Sequence, residues 1–293
     1  MASKKQRQRQ LARDAYERRL QRQSDRDRRA RRWTASVIVA VLVAGIGVGG
    51  AALAGAFKSS PATPVANASR TPAVTASATP SPTASPSPSP AMVDGKCVYT
   101  ASGTASKKVT PPPATPDTKA SYRATIATNR GSIVIHLLNS GAPCTVNSFV
   151  SLAGKKFYDS THCHRLTTSG IFVLQCGDPT GTGSGGPGYV FANENLNALK
   201  LSNCPGSTQK CATFPAGTVA MANSGGSDTN GSQFFLVYKK TVLPDSYTPF
   251  GTIVSGLNII QNVAKAGSDN SNGTGDGHPK EAVDISSVTI KKT

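Results

Sequence analysis

The sequence predicts an all-β domain, a closed antiparallel barrel of eight strands capped by two helices, carried behind a transmembrane helix and a disordered linker. Three observations point there. Eight short stretches of alternating or β-branched residues follow Lys119, separated by Gly, Asn, Asp and Pro. Only two segments in the same region hold a helical period. The third observation is what precedes them: 12 of the 20 prolines fall between Pro61 and Pro116, and the longest uncharged apolar run ends before Lys58. Length would allow two average domains in 293 residues, but only 119–293 can bury a sizeable core, so one domain fits. Aromatic residues at 6% and charged residues at 16% exclude a coiled coil and a highly charged disordered chain.

Residues 1–33 form a basic segment. The net charge of +17 suggests nucleic acid until it is divided: residues 1–32 hold 13 Lys/Arg against 4 Asp/Glu, or +9, leaving +8 for the other 261. A charge run directly before an apolar stretch usually sets orientation, and no nucleic-acid partner is expected. Thr34–Phe57 supplies 24 residues without a charge. As a helix rising about 1.5 Å per residue it would cross a ~30 Å hydrocarbon core. The flanking charges put the N-terminus in the cytoplasm and everything after Lys58 outside, as a single-pass protein of the cell membrane. A cleaved signal peptide competes, since Ala52-Leu53-Ala54 resembles a cleavage site; the long basic region and long apolar run favour an uncleaved anchor. Residues 58–118, rich in Pro, Ser, Thr and Ala, have too few large apolar side chains to offset the entropy of ordering. They are expected to form an extended tether.

Within 119–293, Tyr122–Ala127 and Ser132–Leu138 flank Asn129-Arg130-Gly131 and read as a hairpin. Thr145 is placed to cap a short helix (Val146, Phe149, Val150, Leu152) that stops at Gly154. Further strands are expected at 163–166, 172–175, 217–222, 234–237, 250–254 and 283–290, with a second helix over Leu257–Ala264. Six cysteines stand at 97, 144, 163, 176, 204 and 211, an even count suited to disulfides outside the cytoplasm. Cys204–Cys211 closes a short loop, Cys163–Cys176 would cross a hairpin, and Cys97–Cys144 remains; six cysteines allow 15 connectivities, so the choice stays open. His162-Cys163-His164 with Cys176 raises a zinc reading. Neighbours on a strand face opposite ways, so Cys163 and His164 could not share one ion there, and no metal is expected.

Gly181-Thr182-Gly183-Ser184-Gly185-Gly186 satisfies a dinucleotide-binding spacing, but Pro187 and Gly188 follow where a helix must open, so it reads as a surface loop. No G-x-S-x-G elbow and no paired carboxylates are present. What stands out is a set of segments combining one cation, several amides and an apolar lining: His164-Arg165, Phe172-Val173-Leu174-Gln175, Met221-Ala222-Asn223, Asn230-Gly231-Ser232-Gln233-Phe234-Phe235 and Leu243-Pro244-Asp245-Ser246-Tyr247. Singly, each Phe reads as core, Met221 as packing and Arg165 as a surface charge. In this order, across about 121–290, the segments resemble the cyclophilin family of peptidyl-prolyl cis-trans isomerases.

The resemblance implies an eight-stranded barrel with a substrate groove on its outer face, working without a cofactor as a monomeric catalytic domain on proline-containing polypeptides. By motif position Arg165 would be the catalytic arginine. Phe172, Val173, Phe235 and Leu243 would form the proline pocket, and Gln175, Ala222, Asn223 and Gln233 would hold the peptide backbone. Tyr247 falls where many relatives have histidine. Departures include two extra residues between Arg165 and Phe172, one between Asn223 and Gln233, Val173 in place of methionine, and Val242 where cyclosporin-sensitive relatives carry tryptophan. The physics is self-consistent: rotating an X-Pro bond must overcome about 18–20 kcal/mol of amide resonance. Twisting localises a lone pair on the proline nitrogen, and a fixed guanidinium can bond it more strongly twisted than planar. A guanidinium turned away, or consumed by a buried ion pair, would contradict the reading. The rival is a catalytically silent peptide-binding or chaperone module.

Overall fold

The computed structural model describes residues 90–293; the basic segment, the apolar run and the linker as far as residue 89 lie outside the described residues, and with them the expected transmembrane helix. Among the described residues no helix is long and apolar enough to cross a membrane.

The main sheet holds β1 (Tyr122–Thr128), β2 (Gly131–Leu137), β3 (Thr161–His162), β4 (Arg165–Thr167), β5 (Val173–Cys176), β6 (Thr218–Met221), β7 (Phe234–Val237), β8 (Pro249–Ser255), β9 (Asp276–Gly277) and β10 (Asp284–Lys292). Its order is β9-β4-β5-β7-β6-β8-β2-β1-β10-β3, antiparallel at every pair. Eight of these strands coincide, to within a few residues, with the eight expected. β3 and β9 have two residues each, too few to show an alternation. Only Cys163 and His164 separate β3, at one edge, from β4 beside the other edge. Three Cα–Cα steps reach at most about 11 Å, so the sheet must curl strongly. No ladder joins its edges among the described residues, and the expected closed eight-stranded barrel is instead a curled ten-stranded sheet with two helices.

Period-2 alternation sorts the side chains. Ile126, Ile133, Ile135, Leu137, Leu174, Val219, Phe234, Leu236 and Phe250 point into the curl and are buried. Helix α1 (Pro143–Gly154) closes over them through Val146, Phe149 and Leu152. The Phe149 ring meets Phe234 at 5.5 Å and Phe250 at 5.3 Å. Burying each such ring contributes about 1.5–3 kcal/mol, and Phe149→Ala would cost about 3–5. Helix α2 (Leu257–Ala266) packs Ile260 and Val263 inward and ends at Gly267, whose φ of 84° suits glycine.

Helix α1 does not begin with a Thr145 cap. Pro143 occupies its first turn and Ala142 caps without a side-chain bond. The orphan N–H groups of Cys144 and Thr145 donate instead to the Glu194 carboxylate at 3.1 and 2.7 Å, and Thr145 Oγ1 adds a third bond at 2.7 Å. Burial of Glu194 raises its pKa in spite of these donors. A capping group 49 residues downstream leaves no local signature.

Two features differ from the expected boundaries. The folded unit reaches back to Met92, not 119: Met92–Val93 pairs with Lys96–Cys97, and Thr100–Ala101 pairs with Tyr189–Val190. Cys97 bonds Cys144, and the Tyr99 hydroxyl donates to the Cys144 carbonyl at 2.8 Å. These anchors order a segment too polar to collapse unaided. The second is a three-stranded sheet of Lys200–Asn203, Lys210–Phe214 and Thr241–Pro244, which no expected strand covered. The other disulfides are Cys163–Cys176 and Cys204–Cys211, so all three pairs follow the reading that the spacing favoured.

Candidate active site

The residues of β5, β6 and β7 that turn away from the core form a second surface. Val173, Ala220, Phe235 and Val237 meet Ala212, Phe214 and Leu243 of the three-stranded sheet in a separate buried cluster, with Ile171, Ala222 and Tyr247 on its rim. The Phe235 ring stands 6.0 Å from Phe214 and meets Tyr247 edge-on at 5.6 Å. Three of the four residues expected in the proline pocket, Val173, Phe235 and Leu243, are thus brought together. Phe172 is not. It packs against the main core, 6.1 Å from Tyr238, with the Lys239 ammonium 4.4 Å from its ring centre. Adjacent residues of an extended chain face opposite ways, so Phe172 cannot line the same wall as Val173; Ile171 takes that side.

β4 sits between β5 and β9, which sets the surroundings of Arg165. Arg165 pairs across with Gln175, and Asp276 lies opposite Thr167 on the other side. Arg165 Nε and Nη2 donate to the two Asp276 carboxylate oxygens at 2.8 and 2.7 Å, and Nη1 donates to Gln175 Oε1 at 3.3 Å. The guanidinium is therefore ion-paired, the arrangement that counted against the sequence reading. The pair is not sealed, however: the two side chains keep 35% and 28% of their surface exposed. Three of the five N–H donors are used and one on each terminal nitrogen remains. The Asp276 hydrogen bonds raise the Arg165 pKa against the cost of burial, with Tyr247 adding to the same effect. Burial alone would raise the Asp276 pKa; Arg165 overcomes it and holds the carboxyl below the ordinary value. Asp276 was missed because it lies 111 residues downstream on a two-residue strand.

From Arg165 the polar ladder continues. Gln175 Nε2 donates to Gln233 Oε1 at 2.9 Å, and Gln233 Nε2 donates to the carbonyls of Gly183 and Gly185 at 3.0 and 2.9 Å. Asn223 Nδ2 donates to the Ser246 carbonyl at 2.8 Å. Ala222 keeps its backbone N–H on the Gln233 carbonyl. The glycine-rich loop is wound around the fully buried Asp178, which accepts from the N–H groups of Thr180, Gly183 and Gly185. Burial would raise the Asp178 pKa, and these donors lower it. Gly177 is required where the loop departs: its φ is 91°, and a Cβ there would strike the Ser232 carbonyl. His164 lies buried nearby with no hydrogen-bond partner for either ring nitrogen among the described residues, and burial lowers its pKa to about 4. Cys163 is bonded to Cys176, so it is not a thiolate ligand.

A curled antiparallel sheet carrying a cation, a ladder of amides and an apolar cluster on its outer face is equipped to hold an extended peptide. The model of the cyclophilin type peptidyl-prolyl cis-trans isomerase/CLD family matches residues 123–290, more than half of the chain, and the protein belongs to that family. It is 49% identical over 199 residues to the probable peptidyl-prolyl cis-trans isomerase B of Mycobacterium leprae, covering 66% of each chain. The protein of the same name from Mycobacterium tuberculosis is 45% identical over 205 residues, covering 68% of this chain and 65% of its own. The match thus spans just under two thirds of these relatives' length. A solved cyclophilin type isomerase from Cryptosporidium parvum aligns with 59% of this chain and 99% of its own, at 27% identity and a TM-score of 0.46.

Proposed function

We propose that this protein is a peptidyl-prolyl cis-trans isomerase acting on exported polypeptides, held at the outer face of the cell membrane by Thr34–Phe57, with its catalytic domain extracytoplasmic and monomeric. One observation carries the catalytic part: a guanidinium about one-third exposed with two unspent N–H groups, fixed between Asp276 and Gln175 beside the Val173–Phe235–Leu243 cluster. The pyrrolidine ring rests on the cluster at the Tyr247 rim, and Gln175 and Gln233 take the flanking backbone. As the bond twists, the free N–H of Arg165 meets the lone pair emerging on nitrogen, a contact stronger in the transition state than in either planar isomer. No group has to change protonation state, which suits a guanidinium kept charged by its carboxylate partner.

The test is a protease-coupled assay of the full chain against Arg165→Ala. Losing a preorganised donor should lower kcat/KM by about 10²–10³-fold with circular dichroism unchanged. Equal activity of the two proteins would end the proposal. The ion pair itself favours the second reading, a silent peptide-binding module, because two donors are already occupied; peptide binding without turnover by the parent would establish it. The envelope placement rests on the uncharged run behind a basic flank, and reporter fusions after residue 58 that prove active only inside the cell would overturn it.

A further inference from the structure

We propose that Ser102–Thr104, in a segment preceding the residues matched by the family model, is a specificity element that completes a subsite of the peptide groove and selects uncharged, hydrogen-bonding residues beside the proline. The inference rests on the isomerase reading and adds to it. Gln175, Asn223 and Gln233 together with Gly183–Gly188 of the glycine-rich loop line a cavity of about 500 Å³. Ser102, Gly103 and Thr104 line the same cavity. All three are exposed and so accessible to a ligand.

The wall is built, not draped. Thr100–Ala101 adds a strand to Tyr189–Val190. The Ser102 N–H donates to the Gly188 carbonyl at 2.9 Å, and the Ser106 N–H to the Gly186 carbonyl at 2.8 Å. Gly186 returns a bond to Ser106 Oγ at 2.9 Å. Behind these, the Tyr99 ring meets Tyr189 and Phe191 edge-on at 5.5 and 5.6 Å, and Cys97–Cys144 ties the segment to α1. Residues 102–104 therefore span two fixed points over the loop that Gln233 holds from the other side.

The chemistry of the lining sets the selection. It combines hydroxyls, amides and glycine backbone with the apolar Pro187, Val190 and Ala222, and includes no Asp, Glu, Lys, Arg or His. A side chain that donates and accepts without charge finds partners there. A charged one loses water and meets no counterion among the lining residues.

The experiment uses the full chain and proline peptides in which each position from three before to three after proline is varied in turn among Ala, Thr, Gln, Lys and Glu. For the parent, at the position that reaches the cavity, Thr and Gln should exceed Lys and Glu by about 5–10-fold in kcat/KM. Thr104→Glu should bring Lys peptides level with Gln peptides, and Thr104→Trp should erase the advantage of Gln over Ala. Both should keep the circular dichroism of the parent, and selectivity is read as the ratio between peptides within each variant. Unchanged selectivity in both variants, or a uniform fall across all peptides, overturns the inference. If the parent fails to turn over even an all-Ala reference peptide, the isomerase reading has failed instead.

Discussion

Asp276→Asn separates two opposite roles for the carboxylate. In the structure it takes Arg165 Nε and Nη2 at 2.8 and 2.7 Å, while Gln175 holds Nη1 only at 3.3 Å. Asparagine retains one acceptor oxygen, removes the charge and turns an NH₂ group toward a cation. With both partners about one-third exposed, the direct loss of stability should stay near 1 kcal/mol. The loss of aim is larger. One bond to the asparagine oxygen and the weak one to Gln175 would be left to orient the fork, and a displacement of about 1 Å at a reacting centre costs on the order of 10²-fold. The expected result is kcat/KM lower by about 10–100-fold, or roughly 1.4–2.7 kcal/mol, with peptide affinity nearly unchanged and partial recovery in Asp276→Glu. A protease-coupled assay gives kcat/KM, and NMR exchange spectroscopy on the same peptide checks it without a protease. Activity within twofold of the parent, while Arg165→Ala is inactive, would refute the positioning argument. A gain in activity would refute it more sharply, showing that the carboxylate competes with the peptide for the guanidinium.

The same pair sets the pH response: a carboxyl held below its ordinary value keeps its partner down to acid pH, so kcat/KM should be flat from about pH 5 to about pH 8, and a bell-shaped profile in that range would contradict it. His164 acts on stability with the same sign as that carboxyl, because a pKa lowered from 6.5 to about 4 makes the unfolded chain bind the extra proton; unfolding free energy should fall by up to about 3 kcal/mol between pH 6.5 and 4, and His164→Phe should flatten that slope in urea titrations. Replacing Cys163 and Cys176 together by Ser removes a link of sequence separation 13 and should cost about 3 kcal/mol. It should also lower kcat/KM, since the bond joins the strands bearing Arg165 and Gln175; equal melting temperatures for variant and parent would argue against the bond. Val242, 37% exposed beside buried Leu243, offers little surface to cyclosporin; a submicromolar inhibition constant for the parent, or no tightening in Val242→Trp, would contradict that reading.

How much of this was legible depends on how far each contact reaches along the chain. The eight longer strands show because alternation needs only neighbouring residues, and the same period predicts two surfaces, one in the core and one carrying the site. Applied strictly, it also separates Phe172 from Val173. Motif position set them in one pocket, whereas the opposed facing that argues against Cys163 and His164 sharing an ion applies equally to them. Asp276, Glu194 and Asp178 were not legible, for a common reason. Each is a carboxylate whose value comes from where its partners lie in space: a guanidinium 111 residues away, a helix start 49 residues away, and a loop that closes on it. A lone Asp on a two-residue strand looks like a solvated turn until the opposite cation is known. Residues 90–118 fail in the other direction. Their composition is that of a tether, and what orders them is a disulfide, a Tyr99 hydroxyl bond and a strand added to Tyr189–Val190. Composition measures what a segment can bury by itself. It is silent about a segment that folds by attachment, and the wall of the peptide groove at Ser102–Thr104 is such a segment.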